Sequence, residues 1–192
     1  SRDRGCEKRP RGRDQGHTCI MSRPQPTEYD PDYEHYVSLV PEDRIVPVLE
    51  AQPAELDAMF ANVPEERGIY AYAEGKWTVK ELLGHLIDGE RIFAYRVLRI
   101  SRGDKTPIEG FEQDGYIEYG FANERSFAHL LREFALVREA NVMLFDHLKP
   151  DMWKWTGTAN EREVSVRALA WTMAGPTRHH MAILNERYLA TV

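Results

Sequence analysis

The chain has 192 residues, 42% of them hydrophobic, with a formal charge of -6 and ordinary glycine and proline content. That is enough to bury one substantial core and short for two. The acidic balance, with no Lys/Arg run in the part that folds, argues against nucleic acid or an anionic membrane surface as the main partner and for a small molecule or another protein. Cys6 and Cys19 both lie among the first twenty residues, so no disulfide framework holds a core. That stretch lacks the apolar segment of a signal peptide and no run elsewhere is long enough to span a bilayer. A cytoplasmic location is the resulting expectation.

In chain order, residues 1–20 are dense in Arg, Lys, Gly and Asp and read as a disordered tail. Residues 21–42 are Pro- and Tyr-rich without a helical period and read as an extended arm laid over the domain. Residues 43–192 supply four long helices. The first carries Ile45, Leu49, Gln52, Leu56, Met59 and Val63 at spacings of three and four, with Pro53 expected to kink it. The second starts at a capping-box pair, Thr78 and Glu81, and carries one stripe from Val79 through Leu86 and Phe93 to Ile100, stopping near Gly103. Residues 103–122 mix Gly, Pro and Asp with aromatics and read as a long ordered connector, with Phe111, Asp114 and Tyr116 as candidate lid residues. The third helix is predicted from about Glu124 to Leu148, ended by Pro150. Residues 153–165 read as an irregular or hairpin-like excursion, and the fourth helix follows Ser165.

Polar residues on the apolar stripes are the candidates for function. His180 falls in the middle of the fourth helix's stripe between Met173 and Leu184, so its burial is expected. His85 falls on the flank of the second helix's stripe, in line with Gly89 and Arg96, and His179 points away from His180. His85 lies about two turns inside the start of its helix and His180 about two turns before the end of its own, so they share a level only if those helices are antiparallel. A plain up-down-up-down bundle would separate them by roughly 10 Å along the axis at ~1.5 Å per residue. The expected fold is therefore an all-α four-helix bundle in up-down-down-up order, with residues 103–122 as the long crossover between helices 2 and 3. Glu90 and Arg138 also stand on core faces, where an isolated charge is costly. They pair with one another to fix helix register, or Arg138 binds an anionic substrate group beside the histidines.

The segment GKWTVKELLGHLIDGERIFAYRVLRISRGDKTPIEGFEQDGY, the phrase EFALVREA, the stretch EVSVRALAWTMAG and the ending HHMAILNERYL, in this order, resemble the DinB/YfiT-like metalloenzymes from Glu42 onward. The resemblance implies a crossed four-helix bundle, a homodimer, and three histidines on a divalent metal, commonly zinc or nickel. One of these is in the second helix and two are spaced H-x-x-x-H on the fourth. Carried over, the ligands are His85 and His180, but the remaining position is Pro176, with AGPTRHH standing where relatives have AGHExHH.

Three neutral imidazoles leave a divalent ion with open positions for water, thiolate or substrate oxygen, whereas two bind it weakly. His179 could supply the third donor if the helix re-forms after Pro176, with Gly175 easing the bend; Asp88 or a water are the other candidates. Two functions follow from the resemblance. One is a metal-dependent enzyme of the thiol-dependent transferase or hydrolase type, acting on a small molecule and possessing an incomplete site. There His85 and His180 bind the metal, Arg138 anchors an anion, Asp88 orients a ligand and a low-molecular-weight thiol is a candidate partner. The other is a non-catalytic bundle that binds a small molecule or a partner subunit without metal.

Overall fold

The computed structural model describes residues 22–190; the tail with Cys6, His17 and Cys19 lies outside the described residues. Four long helices form the body: α2 (Ile45–Phe60), α3 (Val79–Ser101), α5 (Phe127–Asp146) and α6 (Val166–Ile183). A short helix α1 (Glu34–Ser38) precedes them, α4 (Gln113–Gly120) lies between α3 and α5, and an antiparallel hairpin, β1 (Thr156–Ala159) with β2 (Arg162–Ser165), lies between α5 and α6. The starts of the long helices follow from local chemistry. The Thr78 hydroxyl accepts the Glu81 amide at 3.1 Å while the Glu81 carboxylate accepts the Thr78 amide at 2.8 Å. Ser126 and Ser165 cap α5 and α6 by accepting the amides of His129 and Ala168.

Side-chain pairings fix the directions. The Tyr188 hydroxyl, beyond the end of α6, donates to the Trp77 carbonyl just before α3 at 2.8 Å. At the opposite end, a Cβ on Gly157 before α6 would collide with Ile100. Helices α3 and α6 are thus antiparallel. Lys80 reaches Phe127 and Glu90 reaches Arg138, so α3 and α5 run together. Gln52 donates to the Ala174 carbonyl at 2.9 Å and Arg67, past α2, to the Tyr188 carbonyl, so α2 and α6 run together.

The bundle core is two apolar clusters with a polar layer between them. One cluster holds Leu56, Phe60, Leu83, Leu86, Phe134 and Leu184; the other holds Leu49, Val97, Phe145 and Trp171 with the arm residues Val37 and Val40. Between them each long helix contributes polar side chains: Gln52, Glu90, Arg138 with Asn141, and Thr177, all buried.

Several expectations need correction. The class is mostly helical rather than purely α, because residues 156–165 close a true hairpin whose turn residues, Asn160 and Glu161, adopt positive φ of 51° and 63°. The arm is not extended: 3-10 turns at Pro26–Glu28 and Pro31–Tyr33 lead into α1. The crossover holds α4 and is pinned to the hairpin by Ile108, whose amide donates to the Thr158 carbonyl and whose carbonyl accepts the Asn160 amide, each at 2.9 Å. Helix α2 stops at Phe60, short of Val63, and α5 starts at Phe127. Both Pro53 and Pro176 lie inside helices that continue past them.

Candidate functional site

The antiparallel crossing of α3 and α6 brings His85 and His180 together, with ring centroids 5.2 Å apart and planes nearly perpendicular at 80°. They line a pocket of about 400 Å³ whose other walls are Tyr33 and Tyr36 of the arm, Phe93, Met173, Pro176 and, from the crossover, Phe111. The polar layer touches this pocket through Glu90 and Thr177, and Asp30, Asp32 and Glu112 also line it. Trp77 packs on the His85 ring at 4.8 Å.

Burial holds both imidazoles neutral. It pushes the His180 pKa down to about 3, assisted by the neighbouring His85 and His179, and lowers that of His85 against the opposing pull of Asp114. His180 is only half-buried as a residue, not sealed in the core as its stripe position suggests, because part of it faces the pocket. Its Nδ1, however, is closed off and has no hydrogen-bond partner.

Arg138 takes the first of its two expected roles. Its Nε and Nη2 donate to the two Glu90 oxygens at 2.8 and 2.7 Å; Nη1 donates to Gln52 Oε1 at 2.5 Å and the Leu49 carbonyl at 3.2 Å; Nη2 also donates to Thr177 Oγ1 at 3.2 Å. A guanidinium has five N–H groups, and all five are engaged, so none remains for a substrate anion. The Leu49 carbonyl is free to accept because Pro53, one turn later, has no N–H to offer it. Asn141 adds a 2.9 Å bond to Glu90 Oε2.

The other expected site residues lie elsewhere. Asp88 lines a separate small recess with Arg91, Arg125 and Glu133, has its pKa raised by burial, and makes no hydrogen bond to His85 among the described residues. His179 turns to the arm, its Nδ1 3.2 Å from His35 Nε2, and does not line the pocket. Of the candidate lid residues, Phe111 lines the pocket and packs edge-on against Tyr116, while Asp114 is felt electrostatically at His85.

A three-histidine metal centre does not fit these residues. Pro176 lines the pocket beside His85 and His180 and offers no donor, and among the described residues no three His, Cys, Asp or Glu side chains converge as metal ligands. Gly175 permits close packing: a Cβ there would collide with the Tyr36 carbonyl of α1. The arm residues Asp30, Asp32, Tyr33 and Tyr36 and the turn residue Asn160 were not legible as pocket residues. Their only signal was the aromatic and acidic content of a segment without helical period.

The sequence profile of the DinB superfamily matches residues 49–184. No curated protein sequence matches significantly. Among solved structures, the chain is similar to YfiT from Bacillus subtilis, described as "a probable metal-dependent hydrolase with an unusual four-helix bundle topology". The TM-score is 0.63 and the identity 17%, over 74% of this chain and 85% of that one. It is also similar to a mycothiol-dependent maleylpyruvate isomerase, with a TM-score of 0.59 and 16% identity, over 71% of this chain and 58% of that one. At these identities the likeness establishes the fold. The family match spans most of the chain, including His85, Pro176 and His180, and this protein belongs to the DinB superfamily.

Proposed function

We propose that this DinB protein binds and acts on a small molecule in the pocket between α3 and α6, with a metal centre reduced to a neutral pair of imidazoles, His85 and His180. The observation that carries the reading is Pro176 lining the same pocket as both histidines, at the position where the resemblance places a third. The pocket has the size and mixed lining of a small-molecule site. A neutral imidazole donates or accepts a hydrogen bond at a ring nitrogen that reaches the pocket, so the pair can orient a substrate without a resident ion. The up-down-down-up order belongs to the same reading: its crossover lays Phe111 and Glu112 against the pocket. A homodimer is also proposed, supported by Leu136 and Met143, exposed seven residues apart on α5.

The second reading is a metal-dependent enzyme, a thiol-dependent transferase or a hydrolase, in which zinc or nickel sits on His85 and His180. It is supported by the descriptions of the two structural relatives, one "a probable metal-dependent hydrolase" and one mycothiol-dependent, and by the unpartnered Nδ1 of His180. Metal analysis of protein purified without an affinity tag separates the two. The first reading predicts zinc and nickel far below one equivalent; a full equivalent that disappears in His180→Ala would establish the second.

A further inference from the structure

Arg96, on α3, is 4% exposed, and its Nε is sealed from solvent with no hydrogen-bond partner. Among the described residues it has no ion pair; its one charge interaction is with the face of Phe93, 5.3 Å from the guanidinium carbon. The arginines around it all have a carboxylate partner: Arg138 has Glu90, Arg99 has Asp104, and Arg91 and Arg125 share Glu133. Burying an unpaired guanidinium is strongly unfavourable, and an aromatic face satisfies none of its N–H groups.

The surroundings point to an external counter-charge. Arg96 lines an open groove of about 530 Å³ between α3 and the crossover, together with Arg91, Tyr95 and Arg99. Phe111 lines this groove and the His85–His180 pocket alike. On its other side Arg96 lines a narrow cleft that shares Tyr33, Phe93, Asn160 and Thr172 with that pocket. Two carboxylates approach these recesses. Asp30 is engaged by Arg162 at 3.1 Å, and the exposed Glu109 forms no ion pair with Arg96.

We propose that Arg96 is the anchor for an anionic group, a carboxylate or a phosphate, on the small molecule whose remainder occupies the His85–His180 pocket. The planar guanidinium fork matches either group in bidentate fashion, and Arg91, which shares the single Glu133 carboxylate with Arg125, leaves net positive charge beside the groove. Arg96 thus fills the role that the sequence suggested for Arg138. The anion site stands on Arg96 itself; only the placement of the rest of the ligand rests on the proposed pocket function.

The test is thermal unfolding of the full chain in sodium chloride, with inorganic phosphate or acetate substituted at equal ionic strength, for wild type, Arg96→Met, Arg96→Lys, His85→Ala and Glu109→Gln. One or both probes are expected to raise the wild-type Tm saturably, by roughly 3–5 °C at ten times the dissociation constant. Whichever probe does so identifies the carboxylate or phosphate preference. Arg96→Met should abolish the increment while being no less stable than wild type in chloride, because it removes an unpaired buried charge. Arg96→Lys should keep only part of it, and His85→Ala all of it, so a failed pocket function leaves the anion site standing. No increment in wild type, an increment retained in Arg96→Met, or an Arg96→Met or Glu109→Gln protein clearly less stable in chloride would overturn the proposal. The last two outcomes would mean that the charge is already satisfied within the chain.

Discussion

At the level of single residues, the charge on Glu90 and Arg138 is committed to the fold. Three donors converge on the Glu90 carboxylate and all five Arg138 N–H groups are bonded, which is the condition under which a buried pair is tolerated. The site is left with neutral imidazoles, and this has a consequence for pH dependence. The His180 pKa lies at about 3 in the fold, against an ordinary 6.5, chiefly because of burial. As pH falls below about 6.5 the unfolded chain takes up this proton while the folded chain does not. The stability contributed is therefore full above that value and declines progressively toward pH 3. Urea unfolding at pH 7 and pH 5 should show a smaller loss in His180→Asn than in wild type; an equal or larger loss in the variant would contradict the neutral, buried assignment.

The elements show what the sequence could and could not reveal. Helix α3 was readable from end to end because a capping pair and a continuous stripe are local signals. The pairing of α3 with α6 was readable because two histidines had to meet at one depth. Helix α4 was obscured by breakers, and the hairpin was legible only as one of two alternatives because its positive-φ turn residues, Asn160 and Glu161, are not glycine. The spare guanidinium could not be found from pattern either. Arg96 and Arg138 both stand on helices among apolar residues, and only three-dimensional partners distinguish the saturated one from the unpartnered one. Gly175 was legible as unusual but not for its reason, which is the seating of α1 against α6 over the pocket. Gly175→Ala should lower stability by about 1–3 kcal/mol through overpacking. Denaturant unfolding would show this; a neutral or stabilising alanine would mean that α1 is not held there.

Across the whole molecule, the bundle is divided by a polar layer and entered from one side by a pocket that the arm, the crossover and α6 build together. On the proposed reading, this arrangement keeps the surroundings of a metal centre in which proline stands at one ligand position. No helix among the described residues is long and apolar enough to cross a membrane. The pocket lined by His85 and His180 is also lined by Pro176, so a single substitution should supply a third donor there. The most direct measurement is calorimetric titration of zinc into tag-free wild type and Pro176→His. The account predicts weak binding to wild type and an affinity at least tenfold higher in the variant, since a third imidazole completes the donor set. Tight, stoichiometric binding to wild type that Pro176→His leaves unchanged would contradict it.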